Sequence, residues 1–137
     1  ISYKPDYVPA TWVLNLYASA DQRAPSFFKT VQTGYSHGLQ WPLLYKYYGN
    51  QEIFVPYRIY GVCIPMVLRL SEQYLIRAEA YVNMNDYSSA GKDISRIRVA
   101  RYSSYGGVTS MDASNAMTII EEERIKELFM EGSEALA

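Results

Sequence analysis

Pro65-Met66-Val67-Leu68-Arg69-Leu70-Ser71-Glu72-Gln73-Tyr74-Leu75-Ile76-Arg77-Ala78-Glu79-Ala80-Tyr81-Val82 is the stretch that decides the fold class. Val67, Leu70, Tyr74, Ala78 and Tyr81 recur at three- and four-residue steps, the period of one helix face, while Leu68, Leu75 and Val82 draw a second apolar line. A helix that is apolar on two sides needs neighbours on both. The polar break Asn83-Met84-Asn85-Asp86 is followed by a single stripe of Tyr87, Ala90, Ile94 and Ile97, with Lys92, Arg96 and Arg98 mostly off it. The pattern predicts a helical hairpin over 66–83 and 87–101, its two members antiparallel and in contact. Tyr102-Ser103-Ser104-Tyr105-Gly106-Gly107 then reads as a loop. A third helix is predicted over 114–131, with Met117, Ile120, Leu128 and Phe129 as its apolar positions and Gly132 as its stop.

Upstream the character changes. Trp12, Val13, Leu16, Tyr17 and Ala20 fall at helical spacings, so a short helix over 10–20 with a packed Trp12 is expected. Between 21 and 65 come Pro25, Gly34, Gly38, Pro42, Gly49, Pro56, Gly61 and Pro65, too many breakers for a long helix. The best strand candidates there are 53–55 and 57–60, interrupted by Pro56. The expectation is a mainly all-α chain, a single unit over 1–137. It has an irregular, aromatic-rich segment with one helix at 1–64, the irregular part at about 21–65, and a helical scaffold at 65–132.

Composition narrows the function. With 137 residues and 49% hydrophobic content the chain can bury a core, and a net charge of −1 lacks the basic footprint of a nucleic-acid binder. The charge is unevenly placed: residues 1–110 carry eleven basic and seven acidic side chains (+4), residues 111–137 two and seven (−5). The third helix is therefore expected on the hairpin, with Arg124 and Glu127 near Arg69 and Glu72. The one cysteine, Cys63, lies between Val62 and Ile64 and reads as a buried thiol. No apolar run is long enough to span a bilayer, and the chain starts without Met or a signal peptide, so a piece of something longer is expected.

The hairpin carries more than a period. Ala78-Glu79-Ala80-Tyr81, a short break, then Asp86-Tyr87-Ser88-Ser89-Ala90 sets small residues where two helices approach, similar to a tetratricopeptide unit. The stretch from Pro65 to Ala80 resembles the signature helix of the RagB/SusD family of outer-membrane nutrient-binding lipoproteins. Asp86-Tyr87 with Ala90, Ile94, Ile97-Arg98 and Arg101, and then Glu123-Arg124-Ile125-Lys126-Glu127-Leu128-Phe129-Met130-Glu131-Gly132, resemble the family's later motifs in the same order. The resemblance implies tetratricopeptide-like helix pairs from which irregular segments form a glycan-binding face. It also implies a surface-exposed lipid-anchored protein of the cell outer membrane, whose partners are a TonB-dependent transporter and an oligo- or polysaccharide. This chain would be the family's C-terminal portion, the lipid anchor lying outside it. Arg69, Glu72, Glu79, Arg98, Arg124, Glu127 and Glu131 are the motif's charged positions, and they read as fold determinants that pair across helices.

Chemistry is sparse by comparison. Gly34-Tyr35-Ser36-His37-Gly38 has the spacing of a nucleophile elbow, but His37 is the sole histidine and adjoins Ser36, so a glycine-rich loop is the better reading. One His and one Cys without paired acids give no metal-ligand set, and no cofactor is expected. Glu121-Glu122-Glu123 reads as a solvated helix face rather than a glycosidase carboxylate. Nine of the fourteen tyrosines fall in residues 1–60 and read mostly as satellite core beneath loops. Trp41, between Gln40 and Pro42, is the named candidate for a sugar platform, an apolar plane with a polar edge. The leading reading is a non-enzymatic glycan-capture protein, and the alternative is a helical-repeat interaction module without a ligand of its own.

Overall fold

A computed structural model describes residues 8–32, 40–46 and 69–131, with the side chains of residues 31, 32 and 41 outside that description. The chain divides into two compact units, Ile1–Asn15 with Arg23–Met66, and Leu16–Gln22 with Val67–Ala137. The described elements are mainly helical with one two-stranded sheet.

In the first unit α1 spans Thr11–Asn15 and α2 spans Arg23–Phe27. The expected 10–20 helix is thus five residues long, and Trp12 on it is 53% exposed rather than packed. Pro25 does not break α2, because it sits in the first turn, where its missing N–H has no intrahelical acceptor to lose. Strands β1 (Phe28–Gln32) and β2 (Gln40–Leu44) pair antiparallel, Phe28 opposite Leu44 and Gln32 opposite Gln40. Tyr45 N–H donates to Phe27 O at 2.6 Å, so the alternation of an antiparallel ladder makes Thr30 and Pro42 a non-hydrogen-bonded pair. The donor that Pro42 lacks would have pointed away from β1. Proline signals alone had hidden this hairpin, and the strand candidates at 53–55 and 57–60 lie outside the described residues.

In the second unit α3 spans Leu70–Asn83, α4 Tyr87–Arg101 and α5 Ala116–Leu128. The helix expected from 66 starts instead at Leu70, since Arg69 is extended (φ −125°, ψ 137°); residues 66–68 lie outside the described residues. Asn85 takes the left-handed conformation (φ 59°) just past α3, and the Asn85 and Asp86 N–H groups return to the carbonyls of Val82 and Tyr81. Asp86 then caps α4 by accepting from Ser89 N–H at 3.1 Å. One short link therefore closes one helix, opens the next and folds them antiparallel.

The core joins both hairpin members to α5: Leu75 and Ala78, then Ala90, Ile94 and Ile97, then Ile120 and Leu128. Tyr74, Tyr81 and Val82 pack on it from α3 as the sequence period required, whereas Leu70 and Met117 face outward. Phe129 is half-buried at the end of α5, and Met130 (φ 61°) turns the chain before Gly132, which lies outside the described residues. Segment Leu16–Gln22 adds to this unit by main chain: Asp21 bridges Tyr102, Gln22 N–H donates to Arg101 O at 2.8 Å, and Ser103 N–H to Ala20 O at 2.9 Å.

Candidate functional site

The motif's charged residues converge where the three long helices meet. Ala116, Ile120, Glu123 and Glu127 follow one another at four- and three-residue steps, so two carboxylates continue the apolar line of α5 into the core, both 0% exposed. Each is met by a guanidinium of α4. Arg98 Nε donates to Glu123 Oε2 at 2.8 Å, and Arg101 grips Glu127 with Nη2 on Oε1 at 2.6 Å and Nε on Oε2 at 3.0 Å. Lys126, also buried, brings Nζ to 3.4 Å from Glu123 Oε2. Burial pulls the Arg98 pKa down, but the hydrogen bond and charge of Glu123 more than offset it and leave the value raised.

Arg69 precedes α3 and closes the other side. Its Nη1 donates to the main-chain oxygen of Glu127 at 3.3 Å and pairs with the Glu131 carboxylate, while Nη2 lies 3.4 Å from Glu127 Oε1. Tyr17 Oη donates to the neighbouring Lys126 O at 3.1 Å. Two last-turn carbonyls of α5, which have no intrahelical donor, are thus satisfied from outside the helix, one of them by a cation suited to the negative helix end. Arg124 Nη2 donates to Glu79 Oε2 at 2.6 Å. Reading the pairs together, 98 with 123 and 101 with 127 rise in step, while 79 with 124 and 69 with 127 run in opposite senses. The contacts make α3 antiparallel to α5 and α4 parallel to it.

The expectation for these residues was met in part. Glu127 does reach Arg69, but Arg124 goes to Glu79, and Glu72 has no ion-pair partner among the described residues. Glu72 sits in the first turn of α3, where negative charge suits the helix dipole. Glu123 is a correction: Glu121 is exposed and Glu122 half-buried, but the third acid of that run is in the core. Its four-residue step to Glu127 and three-residue step from Ile120 were the available signal. Sequence reasoning also passed over Arg77, which holds the buried Asp93 in two bonds, Nε to Oδ2 at 2.7 Å and Nη2 to Oδ1 at 2.6 Å.

The loop after α4 is tied back to that helix. Thr109 N–H donates to Ser95 Oγ at 2.7 Å, Tyr105 Oη lies 2.6 Å from Thr109 Oγ1, and a Cβ added at Gly91 would lie 2.2 Å from Thr109 O. Burial raises the Tyr105 pKa, but hydrogen bonds with Thr109, Arg98 and Ser95 outweigh it and hold the phenol below its usual value.

Chemically, the helical unit is a set of locked charges. Among the described residues Glu123, Glu127 and Asp93 are each held by a cation and buried. Among the described residues no three His, Cys, Asp or Glu side chains gather as metal ligands, and no helix is long and apolar enough to cross a membrane. A surface cavity of ≈ 460 Å³ runs along α3, lined by Leu70, Gln73, Tyr74, Ile76, Arg77 and Ala80.

The hairpin presents different chemistry. Lys29 stands opposite Leu43, and Tyr45, two residues on, shares its face; the Lys29 Nζ lies 3.6 Å from the Tyr45 ring centroid. Lys46 Nζ lies 4.3 Å from the Phe27 ring centroid, and Phe27 and Phe28 meet edge to face at 6.4 Å. Trp41 pairs with Val31 on β2, its side chain outside the described atoms. Residues 34–38, the serine-containing glycine loop, and Cys63 also lie outside the described residues.

Residues 28–135 match the model of the SusD family. No curated protein and no solved structure matches the chain.

Proposed function

The chain belongs to the SusD family, and from this we propose that it is a non-enzymatic glycan-binding component of an outer-membrane nutrient-uptake system, with residues 69–131 as a tetratricopeptide-like scaffold. The family match over 28–135 carries the reading. Two features support it. The buried carboxylates of the scaffold are consumed by ion pairs, as a structural role requires, and Trp12 turns a large aromatic plane to solvent, as sugar stacking requires. Trp41 is the second stacking candidate. A TonB-dependent transporter is the proposed partner, and a surface-exposed lipoprotein of the outer membrane the proposed setting.

Retention of the full chain in polysaccharide-containing native gels tests the reading. Glycan-dependent retardation is expected, reduced by Trp12→Ala and Trp41→Ala, with no new reducing ends after prolonged incubation. Hydrolysis of the glycan, or no retardation by any glycan, would overturn it. The apolar stripe beside the α3 cavity, with Leu70 71% and Ile76 52% exposed, favours a second reading, a helical interaction module without a ligand. Under that reading Ile76→Asp abolishes capture of a protein partner and no glycan binds.

A further inference from the structure

We propose that the β1–β2 face around Lys29 and Tyr45 is a subsite for acidic saccharides, with the Lys29 ammonium taking a uronate carboxylate or a sulfate ester. The proposal rests on the glycan-binding reading above and specifies its substrate class. Three observations carry it.

The first is charge. In the described residues of the first unit there are three cations, Arg23, Lys29 and Lys46, and no Asp or Glu. Over the whole of that unit's sequence, 1–15 and 23–66, five basic residues (Lys4, Arg23, Lys29, Lys46, Arg58) face two acidic ones (Asp6, Glu52), a net +3 in a chain of net −1. An anionic ligand is drawn to this unit and repelled by the remainder, which carries −4 by difference.

The second is how the cations are held. Six of the helical unit's eight cations, Arg69, Arg77, Arg98, Arg101, Arg124 and Lys126, sit on carboxylates, so their charge is neutralised on the spot, while Lys92 and Arg96 on α4 form neither an ion pair nor a ring contact among the described residues. Lys29 has a different partner. The Tyr45 ring attracts its ammonium through the π face at 3.6 Å, which restrains a flexible side chain while leaving a full positive charge. An ammonium has three donors, a ring covers one side of it, and Lys29 is exposed. The donors turned from the ring are in position for the oxygens of an anion.

The third is the company. Pairing of Lys29 with Leu43 places Tyr45, two residues past Leu43 and just beyond the end of β2, on the same face as Lys29. Lys46 and Phe27 form a second cation–ring pair beyond the end of that strand. Saccharide recognition needs apolar planes for C–H faces, and acidic saccharide recognition adds cations at intervals along them. The Lys29–Tyr45 and Lys46–Phe27 pairs at this end of the hairpin supply both.

Calorimetric titration of the full chain with oligogalacturonate and with its carboxyl-reduced, neutral counterpart tests this, at low and high salt. The acidic ligand is expected to bind more tightly, with affinity falling as salt rises, and Lys29→Gln should weaken it roughly 3- to 10-fold. Lys29→Arg should restore most of the loss, while Lys92→Gln, on α4 in the other unit, should change nothing. Unaltered melting curves confirm that Lys29→Gln still folds; if it does not, Tyr45→Leu, which removes the ring from the cation, is expected to give the same selective loss. Equal binding of acidic and neutral ligands, or no effect of either variant, overturns the subsite and leaves the glycan-binding reading standing. Failure of both ligands and of every other glycan overturns both. Lys29-dependent sedimentation with phosphatidylglycerol vesicles without saccharide binding would also overturn it, assigning the charge to a lipid surface.

Discussion

Glu127 shows how much one side chain can carry. It is fully buried, its carboxylate is held by Arg101 and Arg69, and its main-chain oxygen accepts from Arg69 as well. Arg101 would lose the carboxylate it grips and Arg69 one of its two if it were neutralised, so Glu127→Gln is expected to destabilise the helical unit by about 3–5 kcal/mol in denaturant titration. Leu128→Ala, at 5% exposure, should cost about 2–5 kcal/mol from lost burial and the cavity left behind. Glu121→Gln, on the exposed side of the same helix, should fall within about 0.5 kcal/mol of the parent. A result in which Glu121→Gln costs as much as Leu128→Ala would mean that long-range charge, rather than packing and local pairing, holds α5. The apolar member of this trio was legible from its spacing. Glu127 was legible as a residue that pairs with Arg69, but the buried Glu123 was not, because a carboxylate in an acidic run on a helix reads as solvated until its partner, Arg98, 25 residues away, is known.

At the scale of an element, α4 joins the best and least legible features. Its span, 87–101, and its stripe of Ala90, Ile94 and Ile97 followed directly from periodicity after the polar break that ends at Asp86. Gly91 in its middle gave no such signal, since a helical glycine identifies no partner until a distant carbonyl, here Thr109 O, is seen to need the space. Gly91→Ala should therefore destabilise by about 1–3 kcal/mol despite alanine's better helix propensity, which thermal melting will show. The cap predicts pH dependence. Hydrogen bonds from the side chain and then the main chain of Ser89 hold Asp86 below the usual carboxylate range, and Ser114 and Asn115 do the same for Asp112. A lowered folded-state pKa gives stability that is present above the unfolded value of about 4 and is lost as pH falls through the folded one. The melting temperature should decline in that acid range, and Asp86→Asn should flatten part of the decline. The short elements α1, α2 and the hairpin were poorly legible for a related reason: five-residue pieces contain too little period to outvote a proline.

For the molecule as a whole, the sequence order of the two units matters more than their composition. Leu16–Gln22 belongs to the helical unit although the residues on both sides of it belong to the other. A chain beginning at residue 23 is expected to keep α3–α5 helical by circular dichroism but to melt at a lower temperature, because Arg101 O and Lys126 O lose their donors, Gln22 N–H and Tyr17 Oη. The same feature sets a clock for the growing polypeptide. Ser103 meets Ala20 across 83 positions and Lys126 meets Tyr17 across 109, so at ribosomal speeds the early segment emerges on the order of 5–20 s before its partners exist. Throughout that interval Leu16–Gln22 has nowhere native to go. The helical unit becomes complete only when synthesis has passed Lys126, so its closure waits on the last of its three long helices.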